Sequence, residues 1–421
     1  MHISNYSKQF EKIIKRNYFN QQLIPYRKDA FTQFIKMGFP SRKWEEWRFT
    51  DLSPITKGNY RLSEINDAPK KSIDLKLFGI EKLNTIVIYN GHYQKSLSSI
   101  PNGIQILSGD EYLIHKNNKI ETVTYTPFDL LNTAFVDSSV NIIVDKNIAI
   151  KSPIRILFIS NGQDSIMVNP RIHLDMATSS KLTFVEHHVG NAKSFFLNES
   201  VLISMDDNAK LNHIRIQSNS EHTNNIFNLN VNQLSNSNYN FTQYIDGSAL
   251  SRTNIVINLN GKYSESDLNN IVISKNNQHV DNNITINHNK EHTFSNQFFK
   301  TILFDKSSGV FNGKTVVKTD AQNISADQSN KNLLLSTKSK MNSNPQLEIY
   351  ADNVKCSHAS TTGEIDQDIL FYIQSRGISK QDAIKLIVNG FANEVIDKIS
   401  IDNISSFLQK KITTILEKRV K

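Results

Sequence analysis

The sequence carries a single cysteine in 421 residues, Cys356. No intramolecular disulfide can form, and the chain is expected in a reducing compartment, the cytoplasm in the simplest case. No apolar run approaches the roughly 18–20 residues of a membrane helix. The opening MHISNYSKQFEKIIKRN lacks an apolar h-region and a small-residue cleavage site, so neither a membrane span nor a secretory signal is expected. Dense Lys/Arg blocks with interleaved aromatics are also missing. The net charge of +8, from 48 Lys and Arg against 40 Asp and Glu, is spread along a lysine- and asparagine-rich chain, which argues against a nucleic-acid footprint. No two acidic residues stand out as a pair that would flank a glycosidic bond.

The first third of the chain reads as helical. Phe10, Ile13 and Ile14, and again Phe31, Phe34 and Ile35, fall at i, i+3, i+4, each set marking one apolar helix face. Gly38 and Pro40 stop the second helix. Trp44 and Trp47, the only two tryptophans, stand three residues apart; that spacing would let them share a helix face and dock this region on its neighbour, but taken alone they are expected to serve ordinary packing.

From about residue 120 to 355 helical patterns are nearly absent. Segments such as KLTFVEHHV, NIFNLNV, TNIVINL and NNITINH alternate apolar and polar residues between Asn, Asp, Gly and Ser clusters, the signature of strands and turns. Val201, Phe227, Ile255, Ile284 and Val310 mark comparable strands at roughly 26–29-residue intervals. Two or three short strands per interval, with no helix between, suit a β-solenoid whose coils bury their inward residues only by stacking. A β-sandwich is the structural alternative. Its last 55 or so residues return to helix. Asp366 caps one ending at Arg376-Gly377, Ser379 with Asp382 opens a second, and Asp402 caps a third.

Two motifs invite an enzymatic reading. His288-Asn-Lys-Glu291-His292 matches a zinc-protease pattern, but that chemistry needs both histidines on one helix face, and this segment lies between strand patterns. Gly309-Val-Phe-Asn-Gly313-Lys314-Thr315 approaches a phosphate-binding loop. It is one residue short and is followed by the strand-like Val316-Val317. Glycines at a solenoid corner are the expectation, and no nucleotide is expected on this chain.

Cys356-Ser357-His358 follows the last strand pattern. On a strand, residues i and i+2 share a face, so thiol and imidazole would be neighbours, and both are good iron ligands. An imidazolium there would lower the thiol pKa. One thiol cannot replace the four that usually hold an iron–sulfur cluster, so a cluster here would be shared with a second chain.

The stretch PQLEIYADNVKCSHASTTGEIDQDILFYIQSRGI resembles the C-terminal signature of the SufB/SufD family of iron–sulfur cluster assembly proteins. So do SRKWEEWRFTDL, NPR at Asn169–Arg171, FVEHH at Phe184–His188, QHVD at Gln278–Asp281, SNQFFK at Ser295–Lys300, GVFNGK at Gly309–Lys314 and NLLLS at Asn332–Ser336, all in order. The tryptophan-rich segment, the CSHxxT context and the lack of further cysteines resemble the SufD branch. Asn353 and Ala359-Ser360 depart from the usual acidic residue and Gly-Ala.

The resemblance implies a mainly β fold, a right-handed parallel β-helix core flanked by N-terminal and C-terminal α-helical domains, with boundaries at 1–115, 116–358 and 359–421. It implies a non-catalytic scaffold that pairs with SufB, docks the SufC ATPase, and shares a transient iron–sulfur cluster or iron with SufB. His358 and Cys356 are the residues it points to at that interface. Asp366, Phe371, Arg376, Gly377, Phe391 and Glu394 are the expected SufC-docking region. A homodimer stays open for the isolated chain. The alternative from another class is a stand-alone β-helix enzyme acting on polysaccharide.

Overall fold

The computed structural model describes residues 3–15, 23–64, 67, 74–80, 83–107, 126–136 and 139–420. The boundary expected between residues 115 and 116 lies outside the described residues. Alternating apolar side chains and asparagine-rich turns build a β-solenoid of about 8 turns. Each full coil contributes two strands, one to each of two parallel sheets. One sheet ends in the strand Lys340–Ile349 and the other in Val354–Gly363.

The ladder register differs from the repeat expected from the sequence. Val201 pairs with Leu229, then Ile255, Ile284 and Gly313. Phe227 pairs instead with Glu199, and Val310 with Asp281. The corners differ in length from coil to coil, and apolar spacing alone does not register such insertions.

Asparagine does two jobs in this architecture. Ser179, Asn208, Asn236, Tyr263, His292 and Asn323 occupy one stacked corner at positive φ, a region asparagine tolerates better than most side chains. The Asn208 N–H donates to the Ser235 carbonyl of the next coil at 2.9 Å, and the Asn236 N–H to Lys262 at 2.9 Å. Along the sheets, Asn254 donates to Asn228 at 2.8 Å, and Asn287, Asn258 and Asn232 form a second amide ladder. These ladders satisfy polar groups that no helix or hairpin partner reaches.

The N-terminal helices α1 (Ile3–Ile14) and α2 (Ile24–Met37) pack an aromatic cluster. The short α3 (Ser53–Thr56) follows. Phe10 stacks on Phe31 at 4.1 Å, and both meet Phe135 edge-on. Phe135 lies on α4 (Pro127–Phe135), a helix inside the span that read as strand only. Its start signal is a capping box, with Thr126 and Asp129 exchanging hydrogen bonds and Pro127 at the first helical position. The two tryptophans do not share a helix face, because only a short 3-10 turn, Glu45–Trp47, forms there. Trp47 is buried and stacks under the Arg252 guanidinium at 3.8 Å, docking this region on the solenoid. Trp44 remains exposed.

Three helices close the chain: α5 (Gln367–Ser375), α6 (Lys380–Ile396) and α7 (Asp402–Arg419). Asp366 and Ser379 cap α5 and α6 as expected, and Gly377 sits at φ +84 after α5. Asp402 does not cap α7; Ile401 precedes the helix with no side-chain cap, and Asp402 lies in its first turn. Val388, Ala392 and Val395 of α6 and Ile404, Leu408 and Ile412 of α7 cover Ile214, Ile216, Ile271 and Ile302 of the solenoid.

The two enzymatic motifs lose their geometry here. His288 ends a strand with its ring buried against Thr293 (2.7 Å) and Ser295 (2.9 Å). His292 turns out of the corner and stacks on Tyr263 at 4.8 Å. Gly309 and Gly313 lie within the strand Ser308–Val317, not at a corner. A Cβ at Gly313 would meet the Phe311 ring at 2.6 Å and the Gln328 amide.

Gly190, which ends the strand Lys181–Gly190 at φ +136, has no room for a Cβ, which would enter the Ser160 backbone of the preceding coil. Gly190→Ala is expected to destabilise the fold by roughly 1–3 kcal/mol. A urea midpoint that falls with an unchanged slope would show it; an unchanged midpoint would mean the coil spacing is softer than drawn.

Candidate functional site

The candidate pair Cys356 and His358 lies on the terminal coil. Its strand Val354–Gly363 pairs on one side with Ile324–Leu334 and, among the described residues, is open on the other. The companion strand Lys340–Ile349 likewise ends its sheet. Both edges therefore present unpaired backbone donors and acceptors, and Ile349 and Tyr350 stand exposed beside them. Such edges invite another chain to add to the ladder.

Cys356 and His358 are brought together as expected, on one strand two residues apart. Adjacent strands of a parallel ladder keep the same facing, so the partners identify the side. Cys356 is opposite Ala326 and then Ser295; His358 is opposite Gln328 and then Gln297. All four partners are buried. The thiol and imidazole thus belong to the inward columns of the solenoid, which become reachable only because this is the last coil. Cys356 is half-buried against Ala351, Ala326 and Val354, while His358 is exposed. Beside them Ser360 donates to Ser343 at 2.7 Å, and Ser343 donates to the Asn330 carbonyl oxygen at 2.8 Å.

The thiol environment differs from the expectation of an activated thiolate. Burial pushes Cys356 above its ordinary value of 9.0, and the Asp327 carboxylate adds to that rise. Asp327 is held close by the Ser357 hydroxyl, which donates to it at 2.6 Å. Cys356 is consequently a thiol at neutral pH and a latent rather than a resident nucleophile.

The helical residues divide into two groups. Phe371 is 73% exposed, with Tyr372 and Ile369 beside it and Leu386 of α6 also bare. The Arg376 guanidinium lies 5.1 Å from the Tyr372 ring, Asp366 is spent on capping α5, and Gly377 opens onto free space. Phe391 and Glu394 face the other way. The buried Lys300 ammonium donates to the Phe391 carbonyl at 2.9 Å, sits 4.0 Å from its ring centroid and pairs with Glu394 at 2.8 Å. They fasten α6 to the solenoid. Tyr372, Ile369 and Leu386 are further exposed apolar residues of these helices; only their exposure, a tertiary property, marks them out.

Comparison with known proteins adds the following. Residues 158–391 match the family described as SUF system FeS cluster assembly, SufBD core domain, and residues 2–156 match the SufBD protein N-terminal region. The chain is 29% identical over 415 residues to an iron–sulfur cluster assembly SufBD family protein of Synechocystis, covering 93% of this chain and 90% of that one. It is 29% identical over 383 residues to the iron–sulfur cluster assembly protein SufD of Escherichia coli, covering 89% of each. To SufD of Bacillus subtilis it is 23% identical over 402 residues, covering 90% of this chain and 89% of that one.

Alkylation of Cys356 by iodoacetamide should follow a pH profile centred above 9, and Asp327→Asn should move it part of the way down, burial being the larger cause. A profile centred near neutrality would instead mean that His358 activates the thiol.

Proposed function

This chain belongs to the SufBD family of iron–sulfur cluster assembly proteins, and from that premise we propose that it is a SufD-type scaffold subunit whose terminal coil forms half of a nascent-cluster site. The observation that carries the reading is the placement of Cys356 and His358 at the open end of the solenoid. A second β-solenoid subunit, of the SufB type, would pair with this edge and supply the remaining ligands, since one thiol and one imidazole cannot complete a cluster's coordination. His358 is the first ligand in this scheme, exposed and free to turn toward a partner. Cys356, protonated and half-buried, follows as a second ligand once iron or a partner's cation draws off its proton. The iron or cluster is cargo, passed through the interface.

The ATPase partner, SufC, would dock on the outer face of α5 and α6. The exposed apolar side chains of these helices, Phe371, Tyr372, Ile369 and Leu386, with Arg376 beside the Tyr372 ring, have the composition of an interface centre. Nucleotide hydrolysis belongs to that partner. Phe391 and Glu394 would take part indirectly, by transmitting movement of α6 to Lys300 and the solenoid.

His358→Ala should leave a complex with SufB and SufC assembled on size-exclusion chromatography while lowering cluster yield about tenfold or more. Unchanged yield would remove His358 from the site, and a chain that never co-purifies with either partner would remove the scaffold reading. Phe371→Ser should weaken SufC binding about tenfold or more without moving the thermal midpoint, because the ring is already exposed. Undiminished affinity by calorimetry would place the docking face elsewhere.

A further inference from the structure

The FVEHH segment holds a second constellation at the other end of the solenoid. Within the strand Lys181–Gly190, parity sends Glu186 and His188 inward and His187 outward, where its ring meets Phe407 of α7 at 5.8 Å. The chain then turns the corner, and the facing strand Ser194–Met205 brings Glu199 across the interior. All three inward side chains are fully buried. One ligand atom from each lies within 4.8 Å of the other two. Five strands lie between this layer and Val354–Gly363, six strand spacings or about 29 Å, so it is separate from the terminal-coil site.

The group is short of positive charge and of hydrogen bonds. Arg215 Nε lies 3.2 Å from Glu186 Oε2 outside hydrogen-bond geometry, and its Nη2 donates to Glu199 at 3.2 Å. One guanidinium thus faces two carboxylates, with its other face over Phe227 at 3.9 Å and its Nη1 donating to Gln217. Neither ring nitrogen of His188 has a partner in hydrogen-bond geometry, nor does the Glu199 Oε1. A buried imidazole nitrogen left unpaired is costly, and an unbalanced buried carboxylate more so. The ring is nonetheless held firmly, stacked on Phe158 at 4.4 Å with its plane parallel. Its Nε2 lies 3.4 Å from Glu199 and 3.8 Å from Glu186.

Those separations match a shared cation. Bonds of about 2.0–2.2 Å around a tetrahedral ion place neighbouring ligand atoms about 3.4 Å apart. The supporting shell is also present. Glu186 Oε1 lies 3.1 Å from His213 Nε2, and the other nitrogen of His213 lies 2.9 Å from the Tyr239 hydroxyl, the kind of outer network that orients metal-bound carboxylates. We propose that Glu186, His188 and Glu199 bind a divalent transition-metal ion, zinc in the first instance, buried between the two sheets of the early coils. The ion joins the sheets from inside, with a water or hydroxide as fourth ligand and Arg215 balancing the two carboxylates. These atoms are fully buried, so in this assignment the metal enters as the solenoid forms and leaves only when it opens.

The full-length protein, expressed with zinc in the medium, should keep about one equivalent after prolonged dialysis against EDTA. Glu199→Gln and His188→Asn should retain little, whereas Cys356→Ser/His358→Ala should keep the ion. Refolding with cobalt should give the visible bands of a low-coordinate site in the wild-type chain and not in Glu199→Gln, which preserves side-chain volume should His188→Asn fail to fold. Three results would overturn the assignment: wild-type protein that is metal-free and equally stable whether refolded with zinc or with EDTA; zinc that a brief chelator wash removes; or zinc retained alike in Glu199→Gln.

Discussion

Each coil of the solenoid donates and accepts its backbone hydrogen bonds through the coils before and after it, and nearly everything else in the molecule follows from that ladder. The parallel register stacks like residues in columns, so a buried column must be tolerable at every level it crosses. Isoleucine, valine and leucine fill most inward columns, and asparagine fills the corners and the outer ladders. The same rule explains Gly190, where neighbouring backbones come too close for any side chain. A ladder has two ends: the early one runs on into the short antiparallel strands Ile104–Leu107 and His92–Tyr93, whereas the late one stops at Lys340–Ile349 and Val354–Gly363 with no such strand beyond them among the described residues.

The functional consequence lies in that asymmetry. The N-terminal helices and Trp47 cover one outer face of the coils, against Met167, Phe196, Ile226, Leu250 and Arg252, and α6 and α7 cover the other. The last coil is left with two open edges. Residues that would be interior one coil earlier, Cys356 and His358, become surface residues there without changing the face they occupy. In the proposed function this leaves the site half built by the topology, for a partner edge to close. Burial and Asp327 keep the thiol protonated meanwhile, which guards a lone, half-buried cysteine against oxidation.

Several elements were legible in the chain beforehand and others were not, for identifiable reasons. The strand runs were legible because inward residues alternate. The Asp366 and Ser379 caps were legible because capping is local chemistry. The helix Pro127–Phe135 was passed over although Thr126-Pro127 and Asp129 announce its start; its short length hid it among strand-like neighbours. The spacing of Trp44 and Trp47 would allow one helix face, but Pro40 and the extended conformation at Trp44 prevent more than a 3-10 turn. Phe391 and Glu394 were grouped with Phe371 by proximity in sequence, and the solenoid separates them by claiming Lys300's partners.

The sequence by itself determined the repeat, the helical flanks, the motifs that identify the family, and the pairing of Cys356 with His358 on one face, since all of these depend on residues a few positions apart. It could not decide which coil would be last to be paired, which side of α5 and α6 would stay bare, or that Glu199 would cross the interior to meet Glu186 and His188. Those are relations between residues on different coils or elements. They are set by corner lengths, ladder register and the packing of helices on one sheet, which only the assembled fold makes definite.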